Sequence, residues 1–315
     1  MDFVIDFEGR VGLRQRGKWW RVVDNHHCFI AAQAIERAFA TIREWVRGAG
    51  ISFFDRKRHT GLLRFALVRC NSQGEVLVNL ITSVPTPEEL PPLTEGLEQL
   101  SESPDINTLV WSTNHTIADV SFGEVKHVFK GEGYLEEVVR GLRYRVSPHA
   151  FFQPNLFTAP LLLEQLQAWT AESAPKVLLD LFCGTGFFAL GVEKSCHHIV
   201  GVELSPEAVV DAKQNAALNE STAQFFHAPS ERFDWGVYGA EAVIVDPPRG
   251  GMQPQVVESL LTNAPRSIFY VSCNYKHFAN DAARLTEKYS IRAQVLLDQF
   301  PHTPHVELLC WFERK

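Results

Sequence analysis

Two short stretches hold side chains that could do covalent chemistry. In "IFYVSCNYKH" (268–277) a β-branched and aromatic run from Ile268 to Val271 breaks at Ser272-Cys273-Asn274, so a thiol stands at the end of a strand. Ligands bind at the strand ends of open α/β sheets, and a thiolate there is a nucleophile; an inert, packed thiol is the competing reading. In "DQFPHTPHVELLCWFE" (298–313) Glu307 is a lone acid that opens an apolar run. Burial would raise its pKa toward that of a useful general base, whereas a solvent-facing strand start is the plain alternative. A third stretch, "DLFCGTGFFAL" (180–190), sets Asp180 at a strand end and Gly184 and Gly186 in the following turn, where backbone can approach a ligand closely.

The second half of the chain contains the elements that must position these residues. "KVLLDLF", "HIVGVEL", "AQFFHA", "AVIVD" and "SIFYVS" read as strands. Helices "FFALGVEKS" and "SPEAVVDAKQNAALN" alternate with them, the second with Ser205 as N-cap and Pro206 at its first position. Repeated βα units predict an α/β fold with a doubly wound, mostly parallel sheet covered on both faces. This domain spans 146–315 and opens with the amphipathic helix "FTAPLLLEQLQAWTA". Residues 1–145 read as a smaller α+β domain. It has a hairpin over 3–21, a helix around 29–49, and strands near 62–69, 75–82, 107–111 and 116–120. The acidic "PTPEELPPLTEGLEQLSESPD" reads as a surface helix and loop.

Composition narrows the class. With 45% hydrophobic and 21% charged residues, the 315-residue chain is an ordinary globular one with room for two domains. No apolar run approaches the ~20 residues of a membrane span, and the early acids of "MDFVIDFEGR" predict no secretory signal. Six scattered cysteines without a C-x-x-C pair predict free thiols, no metal site and a cytoplasmic location. The net charge of −7 hides an asymmetry. Arg10 to Arg69 holds 13 Lys/Arg against 4 Asp/Glu, or +9; Asn71 to Glu137 holds 2 against 12, or −10. In "RVGLRQRGKWWR" and "FFDRKRH" cations interleave with aromatics, a mixture suited to phosphate contacts and base stacking; a solvated domain face accounts for it equally well. Trp19 and Trp20 are candidates either for stacking on RNA or for the domain core.

The ligand can be narrowed further. Glu203 closes the second strand, where an acid can take both hydroxyls of a ribose. D-x-x-x-G-x-G followed by such an acid is the arrangement of S-adenosylmethionine-dependent methyltransferases. A nicotinamide cofactor shares much of that geometry, but the third glycine of its fingerprint is absent. The fourth strand ends in "VDPPRGGM", a rigid Asp246-Pro247-Pro248 turn. Amino-group methyltransferases place an aromatic after the two prolines, where this chain has Arg249; DNA-type cytosine-C5 enzymes place a cysteine after a proline at this strand, where it has none. Cys273 remains as the thiol at a suitable strand end. A thiolate adding to carbon 6 of uracil makes carbon 5 nucleophilic toward a methyl donor, and the carbon-5 proton must then pass to a base.

Assembled in this order, the residues make the chain resemble the RNA 5-methyluridine (uracil-C5) methyltransferase family. The resemblance runs through "SPHAFFQPN", "LLDLFCGTGFFAL", "GVELSPEAVVDAKQNAALN", "DPPRGG", "VSCN" and "FPHTPHVE". It implies a Rossmann-like class I methyltransferase domain, with Cys273 as the nucleophile on carbon 6 and Glu307 as the base. It further implies S-adenosylmethionine held by Gln153 and Glu203, with Phe182 beside it and Asp246 at its reactive end, over the turn of Asp180, Gly184 and Gly186. Arg249 and Gln153 face the substrate, an RNA whose target base is flipped out of its helix. Many members carry an N-terminal β-barrel module, for which this chain has no room. Many also carry an iron–sulfur cluster on four cysteines. Here "RVVDNHHCFI" offers Cys28 alone, so no cluster is expected. Phe187 stands where the family often has Asn, and "SCNY" replaces "SCNP". The short N-terminal region favours 23S ribosomal RNA over transfer RNA as the substrate of a cytoplasmic monomer without membrane association. Two rivals are weaker. A noncatalytic RNA-binding or folding factor needs neither Cys273 nor Glu307, and a protein or small-molecule methyltransferase leaves the basic aromatic stretch unexplained.

Overall fold

A computed structural model describes all residues, 1–315. The chain divides into two compact units, Met1–Glu136 with Ser147–His149, and Glu137–Val146 with Ala150–Lys315. No helix is long and apolar enough to cross a membrane.

In the first unit, β1 (Asp2–Ile5), β2 (Val11–Gln15) and β3 (Lys18–Asp24) precede α1 (Gln33–Gly48). Then come β4 (Leu63–Cys70), β5 (Val76–Thr82), α2 (Leu90–Ser101), β6 (Thr108–Thr113) and β7 (Glu124–Lys130). They form one sheet in the order β3-β2-β1-β4-β5-β6-β7, antiparallel except where β6 follows α2 and pairs parallel with β5. Ile35, Ala38, Phe39 and Ile42 of α1, with Leu93 and Leu97 of α2, recur at helical spacing and bury against Phe3, Leu63, Val78 and Leu109 of the sheet. Two expectations are corrected here. The helix begins at Gln33 rather than near 29, because the Glu36 carboxylate accepts from Cys28 N at 3.2 Å and contacts His27 Nδ1 at 3.1 Å, drawing 27–28 off the helical path. Residues 116–120 form no strand. The carbonyls of Asn114, Thr116 and Ala118 turn toward the buried Arg64 guanidinium, at 3.4, 2.7 and 2.5 Å, and leave the ladder to β7.

β8 (Leu135–Val139) and β9 (Leu142–Val146) form a hairpin, in the second unit from Glu137 on, turned through Arg140 and Gly141 at positive φ. After α3 (Ala159–Ser173) come β10 (Val177–Leu181), α4 (Phe187–Val192), β11 (His198–Glu203) and α5 (Pro206–Leu218). Next are β12 (Gln224–His227), β13 (Ala242–Val245), α6 (Pro254–Asn263), β14 (Ser267–Ser272), α7 (Tyr275–Leu285), β15 (Tyr289–Leu297) and β16 (Glu307–Arg314). The sheet order is β12-β11-β10-β13-β14-β16-β15. Pairing is parallel as far as β14, and β16 runs antiparallel to both of its neighbours. Alternate residues serve opposite cores: Leu178, Ile244, Phe269 and Leu309 pack with α3, α4 and α5, and Leu179, Val243, Ile268 and Tyr270 with α6 and α7. Ser205 caps α5 as expected, accepting from Ala208 N at 3.3 Å.

The hairpin owes its place to two asparagines one helical turn apart, Asn215 on α5 and Asn219 at its C-cap. The Asn215 amide accepts from Arg145 N at 2.6 Å and donates to Arg145 O at 3.1 Å. Asn219 does the same with Arg143, at 2.9 and 2.7 Å. Two side chains thus act as a strand partner, which is why hydrophobic periodicity alone did not disclose the pairing.

Gly201 of β11 marks a close approach in this core. A Cβ there would lie 2.4 Å from Phe225 Cδ1 and 2.9 Å from Cys183 Sγ. Gly201→Ala is therefore expected to destabilise the second unit by about 1–3 kcal/mol through overpacking, measurable as a lowered urea midpoint with an unchanged slope.

Candidate active site

The strand ends of the second unit's sheet open on a cavity of about 550 Å³, within the range of small-molecule sites. Its wall includes Gln153, Phe182, Gly184, Glu203, Asp246, Arg249, Cys273 and Glu307, eight of the ten residues singled out from sequence. Asp180 and Gly186 lie behind the wall. Asp180 is fully buried, and its Oδ2 accepts from Ala189 N at 3.0 Å, tying β10 to α4. Gly186 takes φ +83° as the N-cap of α4, and a Cβ there would meet the Phe225 ring at 3.0 Å.

On the β10–β11 side, Glu203 is pinned by backbone: Oε1 accepts from Ser205 N at 2.7 Å and Oε2 from Gly184 N at 3.0 Å. The carboxylate keeps lone pairs for further donors, such as the two hydroxyls of a ribose. Gly184 has φ +52° and nothing nearer to a built Cβ than Phe151 O at 3.9 Å, so this turn presents open backbone. Phe182 also adopts positive φ, 69°, a conformation costing a non-glycine residue on the order of 1–3 kcal/mol and frequent at ligand sites.

On the β14–β16 side, the ladder pairs Tyr270 with Cys310, Val271 with Leu309 and Ser272 with Leu308. One further step in that register sets Cys273 opposite Glu307. Asn274 secures this corner. It caps α7 by accepting from Lys276 N at 3.1 Å, and its amide donates to Arg249 O at 3.0 Å, joining the "DPPRGG" loop to the cysteine. Cys273 is half-buried and Glu307 is 4% exposed. Burial lifts the Glu307 carboxyl to about 7 against the pull of Arg249. Burial, then Glu307 and Asp246, raise the Cys273 thiol, which Arg249 again opposes. Asp246 is pushed well above the carboxylate range by burial and by Glu307, Asp180 and Glu203; burial takes Asp180 to about 8. Cys183, raised far more by complete burial, is the packed thiol of the cofactor turn.

Sequence reasoning missed Gln299 and Phe300 on this wall. Gln299 Nε2 donates to Gln153 Oε1 at 2.7 Å, and Gln299 Oε1 accepts from Thr158 Oγ1 at 2.7 Å. This chain of bonds orients Gln153 and leaves its own amide nitrogen as a donor. A glutamine beside a proline-rich loop carries no sequence signal of that role. No group of three or more His, Cys, Asp or Glu is placed to hold a metal ion, and Cys28 lies in the first unit beside Glu36.

A doubly wound sheet with a glycine turn and a ribose-suited acid at its strand ends is the architecture of class I S-adenosylmethionine-dependent methyltransferases, which the crystal-structure match below supports. Comparison with known proteins narrows the class. The family model described as tRNA (uracil-5-)-methyltransferase matches residues 120–235 and 229–315. The tRNA (uracil(54)-C(5))-methyltransferase of Pyrococcus horikoshii is 35% identical over 312 residues, 98% of this chain and 72% of its own length. An uncharacterized RNA methyltransferase of Caldanaerobacter subterraneus is 31% identical over 318 residues, 99% of this chain and 71% of its own. The crystal structure of Pyrococcus abyssi tRNA (uracil-54, C5)-methyltransferase with S-adenosyl-L-homocysteine superposes with a TM-score of 0.80 at 30% identity, covering 99% of this chain and 74% of that one. The chain belongs to the tRNA (uracil-5-)-methyltransferase family and is an RNA (uracil-C5)-methyltransferase dependent on S-adenosylmethionine. The residues present fit that cofactor: Glu203 keeps lone pairs that could take ribose hydroxyls, and the carboxyls gathered near Asp246 would suit a positively charged group.

Two measurements check this site. Glu203→Ala is expected to weaken S-adenosylhomocysteine roughly 10- to 100-fold, as loss of a charged hydrogen-bond acceptor does; calorimetry showing unchanged affinity would remove Glu203 from the cofactor site. Glu307 bears on stability. Its carboxyl titrates at about 7 when folded against an ordinary 4.5, so the folded chain loses stability as pH climbs from 4.5 to 7 and stays at that lower level above. The loss is on the order of 3 kcal/mol. Glu307→Gln should therefore exceed the native chain in urea resistance at pH 8 and equal it at pH 4; equality at both would mean that the carboxylate is solvated.

Proposed function

We propose that this enzyme methylates carbon 5 of a uridine in transfer RNA, with Cys273 as nucleophile and Glu307 as general base. The observation that carries the mechanism is the antiparallel register of β14 and β16, which sets a half-buried thiol opposite a buried carboxyl on one cavity wall. The choice of transfer RNA rests on the relatives. The Pyrococcus relatives at 30% identity or more name uracil 54 of tRNA, and this favours transfer RNA over the ribosomal RNA expected from the short N-terminal region.

In this reading the Cys273 thiolate adds to carbon 6 of the flipped uracil, forming a C–S bond and moving the ring electrons onto an enolate. Arg249, which favours the charged forms of both Cys273 and Glu307, faces that developing negative charge. Gln153, oriented by Gln299, donates to the substrate or to the cofactor. Glu203, Phe182, Gly184 and Asp246 would hold S-adenosylmethionine, which would supply the methyl group as an electrophile to carbon 5 and leave as S-adenosylhomocysteine. The Glu307 carboxylate then takes the carbon-5 proton, the C–S bond breaks, and the thiolate is restored. A base that titrates at about 7 is poised for this at neutral pH. Since both the base and the thiol act deprotonated, activity rises with pH through that region.

The test uses labelled S-adenosylmethionine with unmodified transfer and ribosomal RNA. Label is expected in transfer RNA as 5-methyluridine and should be lost in Cys273→Ala. Glu307→Gln should form the adduct but release it at least about 100-fold more slowly, as loss of a general base does, leaving a protein–RNA band that survives denaturing electrophoresis. Normal turnover in Glu307→Gln would dismiss Glu307 as the base, and label in ribosomal RNA alone would restore the other substrate.

A further inference from the structure

We propose that the segment Trp19-Trp20-Arg21 is a stacking platform for unpaired nucleotides of the RNA substrate, an inference that rests on the RNA reading above. The β2–β3 hairpin pairs Gln15 with Lys18 but Arg14 with Val22, so three residues of β3 stand out of the ladder without a partner. Bulges of this kind re-aim side chains and lie preferentially at sheet edges, and β3 is the edge strand of its sheet. The side chains displayed here are two tryptophans, 62% and 60% exposed, whose rings meet edge to face at 6.1 Å. Trp111, Trp169, Trp235 and Trp311 are all at most 8% exposed, and Trp45 is half-buried with its indole N–H donating to Gly96 O. Adjacent exposed tryptophans on a sheet edge invite aggregation, so a bulge that displays them points to a ligand that covers them.

The surroundings decide the class of ligand. Arg14 Nη1 donates to Trp19 O at 3.0 Å and steadies the bulge. Arg14 also pairs with Asp119 at 2.5 Å, and Asp119 pairs with Arg56 at 3.0 Å. One carboxylate thus joins the two basic aromatic stretches, some forty residues apart in sequence. Arg16, Lys18, Arg21 and Lys57 are exposed and make no ion pair. Centres of protein–protein interfaces are depleted of charge, whereas single-stranded nucleic acid requires aromatic faces for its bases with cations for its phosphates. Trp19 and Trp20 meet the first requirement and the four cations meet the second.

The experiment titrates the full chain with an unmodified tRNA transcript, comparing native protein, W19A/W20A and W19F/W20F. Cofactor binding and thermal melting report on folding. W19A/W20A is expected to bind the transcript at least about tenfold more weakly, with the dependence of affinity on salt unchanged, because stacking releases no counterions. W19F/W20F should recover most of the affinity. Acrylamide should quench the native fluorescence through the two exposed indoles, and saturating tRNA should protect them; this readout decides the matter even if the alanine variant melts early. Native-like affinity of W19A/W20A, or equal quenching with and without RNA, would overturn the platform and leave the bulge as a protein-docking surface. If native protein neither binds nor methylates the transcript, the choice of transfer RNA fails, and the same titration with ribosomal RNA decides the platform.

Discussion

The site depends on the insertion of one antiparallel strand into a parallel sheet. β10, β11, β13 and β14 all deliver their carboxyl ends to the same edge, as parallel strands must. A further parallel strand beside β14 would bring another carboxyl end there. β16 instead brings its amino end, so Glu307, its first residue, lies one step beyond the Ser272–Leu308 pair, on the side of Cys273, which follows the last residue of β14. β15 closes the outer side, pairing Leu297 with Glu307, and holds the start of β16 against β14. Register in such a ladder cannot slip by one residue without turning Leu309 and Trp311 out of the core, so packing far from the cavity specifies the geometry at its mouth.

That geometry is held against an electrostatic cost. Glu203, Asp246 and Glu307 line one cavity with Asp180 behind its wall, and Arg249 is the cation that opposes the upward shifts of the thiol and Glu307. Asp180, Asp246 and Glu307 are accommodated by raised pKa values rather than by pairing charges, and raised values are what a base working near neutrality requires. Asp180 illustrates the structural side of the same arrangement. Its Oδ2 secures the start of α4 while Oδ1 is sealed without a partner, so it supports the glycine turn from behind instead of facing a ligand.

The first unit follows different rules. Its sheet is antiparallel apart from the β5–β6 pair and is covered by α1 and α2, and its departures from regularity are local: Arg64 gathers three loop carbonyls, and β3 bulges at Trp19–Arg21. Both involve arginines, which carry enough donors to hold irregular backbone in place. The acidic region after Asn71 and the basic region before it belong to this one unit, so the sequence asymmetry is a feature of its surface and not a division between units.

Much of this was legible from residues alone, because it rests on local pattern. Alternating βα units, the glycine turn after Asp180, the Ser205 cap and the thiol at a strand end each depend on a few neighbouring residues with strong steric or hydrophobic preferences. Order along the chain was enough to identify the family motifs. What sequence left open was whatever depends on partners distant in the chain: whether Glu307 was buried or solvated, whether Trp19 and Trp20 faced a core or water, and that 135–146 docks on Asn215 and Asn219. The Gln299–Gln153 bond spans 146 residues, and no local propensity encodes it. Side-chain type and spacing determine which elements form; burial, register and pKa are properties of the assembled environment, and only the packed sheet decides them.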